Sequence, residues 1–239
     1  MFLAITAAAS VLAGAIASVS GFGIGSLLTP VFNVPYDMRL AVAAVSIPHM
    51  VATSLRLWMM RRDVDRDVLK SFGLTSAAGG LSGAILQRYA TAPGLTIVFG
   101  ALLIFAGLAG LTGLSERMRF GPRTGWIAGV VSGMLGGLVG NQGGIRSAAL
   151  LGSQLSPTAF VATATAAGLI VDAARMPVYV LIEHARLWTS ADVIAVATAG
   201  VVVGTVAGKP VLRALPPLLF RRLVGALILL LGLYMLTRT

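Results

Sequence analysis

The sequence GFGIG at residues 21–25 interrupts one long apolar stretch, and GNQGG at residues 140–144 interrupts another. Each cluster follows an apolar segment of helical length and opens a second one, so each predicts a helix broken at its glycines. Glycine adopts the backbone angles that such a break requires and lets another backbone or a ligand approach closely. Because the clusters lie 119 residues apart, they are the first indication of two related halves.

Further matches at nearly the same offset support a duplication. Arg56 corresponds to Arg175, and Gly83 corresponds to Gly204. All the matches keep their order along the chain, and the offset drifts only from 119 to 125 residues. The predicted units are a first half (1–115), a cytoplasmic linker (116–123) and a second half (124–239).

The composition is that of an integral membrane protein. Of the 239 residues, 57% are hydrophobic and 11% are charged, and the mean hydropathy is +0.92. A soluble domain has roughly a quarter of its residues charged, so these values exclude a soluble enzyme and a DNA-binding domain. The absence of cysteine excludes a disulfide framework. The net charge of +10 matches the excess of basic residues that cytoplasmic loops of membrane proteins carry.

Apolar stretches of membrane-spanning length recur throughout the chain. No stretch alternates in polarity as transmembrane strands do, so we predict an all-α polytopic membrane protein. The predicted stretches are 2–32, 38–60, 68–87, 93–114, 124–151, 157–182, 189–209 and 217–236.

The number of membrane crossings is open between two arrangements. Eight full spans would make the halves parallel, whereas two glycine-broken re-entrant hairpins, each followed by three spans, would make them inverted repeats. Of the 18 lysines and arginines, three (Arg56, Arg146 and Arg175) lie deep inside the stretches, and fifteen lie near the ends of the stretches or outside them. The hairpin arrangement places eleven of those fifteen on one side, against nine for eight spans. The positive-inside rule therefore favours inverted repeats.

A glycine-rich break, a proline-containing helix and an Ala/Ser/Thr-rich span, repeated in both halves, resemble the TauE/SafE family of sulfite and organosulfonate exporters. The half-motif of that family reads approximately G-x-G-G-G, then four residues, a proline, and an alanine-rich helix with small hydroxyl residues. The copies here begin at Gly21 and Gly140, and the resemblance covers essentially the whole chain. The chain departs from the motif at Ala149, where the second proline is expected, and at Ile24 and Gln142, which interrupt the glycine triplets.

The resemblance implies a multi-pass transporter of the cell inner membrane, not an enzyme. It would export small sulfur-containing oxyanions, such as sulfite or organosulfonates, by alternating access around an anion site at the membrane midplane. No cofactor and no metal are expected. The expected partners are the anionic substrate and the lipid bilayer, without nucleic acid, and a homodimer is left open.

The two breaks are the predicted anion site. A helix that restarts after a break presents free N–H groups and a partial positive charge, which favour an anion. The alternative is that glycines only permit close helix packing, which is the role expected for Gly79, Gly83, Gly200, Gly204 and Gly208. The predicted substrate-binding residues are Gly23, Gly25, Ser26, Ser46, His49, Asn141, Gln142, Gly143, Gly144, Arg146 and Thr165.

Arginines inside the apolar stretches are the strongest candidates for contacting an anion. Arg146 lies two residues beyond the second break, and its planar guanidinium suits a sulfur oxyanion; the alternative is a structural pair with a carbonyl or with Asp172. Arg175 has Asp172 at i−3, which predicts a local ion pair. Arg56 either snorkels toward the cytoplasmic interface or, together with Asp172 and Arg175, gates the pathway or lines its vestibule.

One histidine and two hydroxyl residues have two interpretations each. His49 follows Pro48 and either relays protons or hydrogen-bonds within a kinked helix, while His184 is expected in a loop. Ser46 and Thr165 occupy matching positions in the two halves. Their hydroxyls either donate to the substrate or bond back to their own helix.

Proton coupling finds little support in the sequence, because Asp172 is the only acid that falls well inside a predicted span. An anion is driven out of a negative-inside cell by about 2.3 kcal/mol per charge per 100 mV, so export needs no coupling ion. Uptake of another small anion is the first alternative. An intramembrane serine protease would pair Ser26 with His49 as its base, and a passive structural subunit would have no use for repeated helix breaks.

Overall fold

The computed structural model of the protein describes residues 1–114, 122–151, 155–213 and 216–237, and this part of the chain forms helices and turns without a strand. The linker predicted at 116–123, with Arg117 and Arg119, lies largely outside the described residues. A 3₁₀ turn (Arg61–Asp63), a single helical turn (Arg66–Val68) and a π-helical segment (Leu69–Gly73) join the third and fourth of the longer helices. The longer helices are α1 (Phe2–Ser20), α2 (Ile24–Phe32), α3 (Met38–Met60), α4 (Leu74–Gln87), α5 (Ala92–Thr112), α6 (Pro122–Val139), α7 (Gly143–Leu151), α8 (Pro157–Thr189), α9 (Ala191–Arg213) and α10 (Pro217–Leu236).

Six segments of the described chain are long and apolar enough to cross a membrane, which confirms an all-α polytopic membrane protein. The set includes α1, which the hairpin arrangement assigns to a re-entrant hairpin, and it omits α4, which has only 14 residues. The six segments are Phe2–Ser20, Met38–Asp63, Ala92–Thr112, Pro157–Thr189, Ala191–Gly208 and Leu218–Leu236.

Both predicted helix breaks are present. Gly21 ends α1 with φ 78°, and its N–H donates to the carbonyl of Ala17. Gly23, with φ 121°, then caps the start of α2. At the equivalent position of the second half, Gly140 has φ 74° between α6 and α7. Residues other than glycine lose about 1–2 kcal/mol in left-handed backbone, which explains why glycines occupy these positions.

The start of α8 is as predicted, but its end is not. Ser156 caps the helix by accepting the N–H of Ala159, and Pro157 occupies the first turn. The expected link at 183–188 is wrong, because α8 continues without interruption to Thr189. His184 therefore lies on a helix and not in a loop. No glycine or proline follows Pro177 in this helix to stop it earlier.

The first helix of each half packs along the fourth helix of the other half. In α4, an added Cβ would lie 2.2 Å from the carbonyl oxygen of Val130 at Gly79, and 2.1 Å from that of Met134 at Gly83. In α9, the same atom at Gly204 would lie 2.0 Å from the carbonyl oxygen of Val11. These glycines let α4 run parallel to α6, and α9 parallel to α1, with their backbones in contact, which is the packing role expected of them.

The equivalent helices α3 and α8 cross each other in the centre of the molecule and run antiparallel. As the residue numbers rise along the α3 region, the numbers of the residues they contact on α8 fall. The equivalent pair α5 and α10 is also antiparallel, since Gly100 faces Gly232 and Gly107 faces Gly225. The three contacts between the α3 and α8 regions are Asp37–Arg186, His49–Asp172 and Asp65–Thr163.

Candidate functional site

The two helix breaks touch each other inside the molecule. An added Cβ at Gly25, in the first turn of α2, would lie 2.5 Å from the carbonyl oxygen of Gly140. At Gly143, the first residue of α7, it would lie 2.7 Å from Cβ of Phe22. Both distances are shorter than any side chain tolerates, so glycine at these two positions brings the breaks of the two halves together.

Two helices of nine residues, α2 and α7, begin at this junction. Gly23 caps α2 without a side-chain hydrogen bond, and no side chain of the described residues is seen to accept from the first N–H groups of this helix. Ser26 is buried in its first turn. Gly143 and Gly144 are the first residues of α7. Two helix starts therefore bring partial positive charge to a common place.

Arg146 lies in the first turns of α7 and is nearly fully buried, with 3% of its surface exposed. Its Nη2 donates to the carbonyl of Gly21 in the break of the other half, at 3.3 Å. Its Nε and Nη1 have no hydrogen-bond partner among the described residues. The guanidinium lies against Gly168, where an added Cβ would come within 2.6 Å of Nη1. Arg146 thus retains two buried N–H donors for a further ligand.

Arg56 and Arg175, which the repeat makes equivalent, form equivalent hydrogen bonds. Nη1 of Arg56 donates to the carbonyl of Ala17 at 2.6 Å, near the end of α1. Nη1 of Arg175 donates to the carbonyl of Gly136, near the end of α6. Ala17 and Gly136 are themselves 119 residues apart. The arginines therefore hold the last turns before the two breaks, and Arg56 does not snorkel.

The second hydrogen bond of each arginine differs between the halves. Nη2 of Arg56 donates to the hydroxyl of Thr53 at 3.2 Å, whereas Nη2 of Arg175 donates to the carboxylate of Asp172 at 2.8 Å. Thr53 and Asp172 are also 119 residues apart. The predicted ion pair between Asp172 and Arg175 is present, and the first half has a neutral group in the same place.

Asp172 also connects the two halves through a histidine. Its Oδ2 lies 2.6 Å from Nδ1 of His49 on α3, while Oδ1 accepts from Arg175. One turn beyond Arg175 on α8, the hydroxyl of Tyr179 donates to the carbonyl of Gly137. The guanidinium of Arg175 lies 5.7 Å from the centre of the Tyr179 ring. His49, Asp172, Arg175 and Tyr179 thus form one buried polar cluster beside the second break.

Positive charge is in excess at this centre. Arg56, Arg146 and Arg175 carry three positive charges against the one carboxylate of Asp172, and the charges of Arg56 and Arg146 repel each other. Among the described residues, no carboxylate lies within ion-pair distance of Arg56 or Arg146. Because a buried charge without a counter-charge is costly, the arrangement suits a bound anion.

The sequence pattern described as sulfite exporter TauE/SafE matches residues 6–235. The chain belongs to the TauE/SafE family. No curated protein and no solved structure matches the chain. The resemblance deduced from the repeated glycine motif is therefore confirmed, and the protein is a multi-pass membrane transporter of this family.

Two predicted substrate-binding residues of this TauE/SafE protein lie beside the arginine cluster without joining it. Asn141 and Gln142 are buried, and the structure shows no hydrogen bond from their side chains to the described arginines. Both side chains line a narrow space against α5, next to Phe105. Nδ2 of Asn141 and Oε1 of Gln142 have no partner among the described residues.

The hydroxyls of Ser46 and Thr165 bond back to their own helices. Ser46 donates to the carbonyl of Val42, and Thr165 donates to that of Val161, both at 2.7 Å. This is the second of the two interpretations given for these residues, and it leaves their hydroxyl hydrogens occupied.

Sequence reasoning missed three residues of the centre. The repeat offset identifies two of them. Thr53 stands 119 residues before Asp172, and Gly168 stands 119 residues after His49. Tyr179 gave no such signal, since its counterpart in the first half is Met60, which cannot form the same hydrogen bond. The repeat offset therefore identifies more of the centre than the motif does.

Proposed function

We propose that this TauE/SafE protein exports small sulfur-containing oxyanions, such as sulfite or organosulfonates, across the cell inner membrane. The observation that carries the proposal is the buried guanidinium of Arg146, in which two nitrogens, Nε and Nη1, have no partner among the described residues. A planar guanidinium binds two oxygens of one anion at once. The uncapped start of α2 adds backbone donors and a favourable dipole.

A second arginine supports binding of more than one negative charge. Nε of Arg56 is also without a partner among the described residues, and its charge is close enough to Arg146 for the two to repel. An anion between the two guanidinium groups would relieve this repulsion. The excess of two positive charges over Asp172 favours a dianion, such as sulfite in its fully deprotonated form or a carboxylated sulfonate.

We further propose that the halves, 1–115 and 124–239, are inverted repeats. Equivalent helices that cross antiparallel, as α3 and α8 do, are expected when the two-fold axis lies in the membrane plane. In this arrangement α1–α2 and α6–α7 are re-entrant hairpins that meet at their glycines. The basic residues after α3 and before α10 face the cytoplasm, following the positive-inside rule.

The burial of the centre supports alternating access. The exposed fractions of Arg56, Arg146 and Arg175 are 4%, 3% and 2%, so an anion reaches them only if the halves move relative to each other. The membrane potential drives an anion outward by about 2.3 kcal/mol per net charge per 100 mV, which favours export.

Replacement of Arg146 by leucine tests the anion site. Leucine is the residue that the first half has at the equivalent position, Leu27, which is also buried. Arg146→Leu should abolish flux of sulfite, sulfate, thiosulfate and sulfoacetate in proteoliposomes. It should also leave the melting temperature unchanged or raise it, because it removes an uncompensated buried charge. Added substrate should raise the melting temperature of the wild type but not that of Arg146→Leu.

The exposed Arg88 provides the matched control, and Arg88→Ala should transport like the wild type. A large loss of stability in Arg146→Leu would show that Arg146 supports the fold. Normal flux in a folded Arg146→Leu would overturn the proposed site. A wild type that carries none of the four anions would overturn the proposed function.

A further inference from the structure

We propose that His49 and Asp172 form a proton-binding pair, so that each dianion crosses the membrane together with one proton. This inference rests on the anion transport proposed above and adds a second transported ion. The sequence alone gave little support to proton coupling, because Asp172 was the only acid well inside a predicted span.

The pair lies where a coupling group must lie, between the two halves and next to the anion site. His49 belongs to α3 and Asp172 to α8, and their side chains are joined at 2.6 Å. Asp172 has no exposed surface, whereas the His49 side chain keeps 10% of its own. A proton therefore reaches the pair at the imidazole ring, and the carboxylate stays behind it as a buried counter-charge.

The first half binds its equivalent arginine, Arg56, without a histidine–aspartate pair. In the first half, the neutral hydroxyl of Thr53 occupies the place of Asp172 and holds Arg56. The counterpart of His49 in the second half is Gly168, which has no side chain. The acid and the histidine are thus additions to a symmetric framework, and they occur together in one place only.

The charges around His49 connect its protonation to the anion. His49 faces Asp172 and Arg175 from α8 and Arg56 from its own helix. Arg146 from α7 acts on the same Asp172 and Arg175. The neighbouring helices α2 and α5 contain no titratable residue, and Asp192 lies in the first turn of α9. With the site empty, the three arginines oppose a further positive charge. A dianion beside Arg56 and Arg146 cancels their excess and favours the imidazolium.

The transport cycle then balances as follows. Neutral His49 donates its Nδ1 proton to the carboxylate of Asp172 and offers Nε2 as a base. A dianion binds, one proton adds to Nε2, and the halves change their access. Release of the dianion restores the repulsion from the arginines, and the proton leaves to the same side. The transported charge is one negative charge per cycle instead of two.

Accumulation in proteoliposomes measures this charge. Sulfate, thiosulfate and sulfoacetate are dianions throughout the neutral range, so the one that the wild type carries fastest serves as the probe. At equal pH on both sides, a potential of about 100 mV should drive about fifty-fold accumulation, against about 2,500-fold for an uncoupled dianion. A pH difference of one unit should shift the accumulation about tenfold.

Two variants should lose this pH effect. His49→Asn keeps an N–H donor for Asp172 but has no titratable ring, and Asp172→Thr copies the arrangement of the first half. If these variants still transport the anion, its accumulation should depend on the potential as expected for an uncoupled dianion. It should not change with the pH difference. His184→Asn removes the other histidine of the chain, which is exposed, and should behave like the wild type.

Melting curves in detergent identify variants that fold. The inference is overturned if the wild type accumulates its anion without a response to the pH difference, or if folded His49→Asn keeps the full response. It is also overturned if the wild type carries none of the three dianions, while flux of sulfite alone would leave the proposed transport function standing. If the wild type transports none of the tested anions, sulfite included, both proposals are contradicted.

Discussion

At the scale of single residues, the two halves use the same positions with different chemistry. Thr53 and Asp172 both hold an arginine, but only Asp172 brings a charge and a histidine with it. Leu27 and Arg146 likewise stand at equivalent positions, one apolar and the other charged. Residues 119 positions apart therefore share a common framework, and the second half adds charged groups to it.

Asp37 connects the start of α3 to α8 and makes stability depend on pH. Burial raises the pKa of the Asp37 carboxyl, but hydrogen bonds from Arg186 and from the N–H of Leu40, with the charge of Arg186, lower it below 3.8. A carboxylate with a lowered pKa stabilises the folded state above its unfolded pKa, and this contribution disappears as the pH falls through the lower, folded value.

The variant Asp37→Asn should therefore melt below the wild type at pH 7 and together with it once the pH falls well under 3.8. Asparagine still caps the helix, so the difference reports the charge and should be about 0.5 kcal/mol, as for other partly exposed pairs. Melting curves in detergent between pH 3 and 7 give the comparison, with the exposed Asp63→Asn as the control. A difference that persists at low pH would assign the effect to the cap.

Residue contacts could be deduced from the sequence only within one helix. The pair of Asp172 and Arg175 follows from three residues of separation on a helix. The contact of Asp172 with His49, 123 residues away, depends on how α3 crosses α8, and no local pattern encodes that crossing. The sequence therefore identified the charged residues of the centre but not the pairing that makes them a coupled group.

At the scale of helices, the decisive feature is the pair of glycine breaks. Gly21 and Gly140 needed left-handed backbone, and glycine in a long apolar stretch indicates such a position strongly, so both breaks were predictable. The end of α8 was not, because that helix passes its predicted end without any residue that stops a helix. Helix breaks are encoded locally, whereas the length of a helix depends on what it packs against.

A methyl group placed between the breaks should disturb transport. Gly25→Ala adds a Cβ 2.5 Å from the carbonyl oxygen of Gly140 and forces α2 away from α6. We expect a loss of about 1–3 kcal/mol in stability, as for other overpacked sites, and a fall in anion flux of at least about tenfold. Melting temperature and flux are measured on the same preparation.

Gly125, near the start of α6, provides the control for this substitution. An added Cβ there meets no atom within 4 Å, and alanine is the better helix former by about 1 kcal/mol. Gly125→Ala should therefore keep full flux with equal or higher stability. If Gly25→Ala also transported normally, contact between the breaks would not be required for the anion site.

At the scale of the whole molecule, the halves must move against each other if access alternates. Asp65, just after α3, donates its backbone N–H to the hydroxyl of Thr163 on α8 at 2.9 Å. This contact makes the two positions our choice for an engineered disulfide. Since the natural chain has no cysteine, the double variant Asp65→Cys/Thr163→Cys would contain only this pair of thiols.

Oxidation of this double variant should stop anion flux, and reduction should restore it. Each single cysteine variant should transport under both conditions and serve as the control. Band shifts on denaturing gels after proteolysis between the halves report whether the disulfide forms. Full transport by the oxidised, cross-linked protein would show that the halves do not separate at this end of α3.

The packing of α1 along α9 also has a consequence for biosynthesis. The surface of α1 that faces Gly204 finds its partner only after nearly two hundred further residues have left the ribosome. Before α9 is inserted, the small residues of α1 that contact it have no partner helix, so the first half alone lacks this packing. Packing of the first helix of the bundle thus depends on a helix that is synthesised much later.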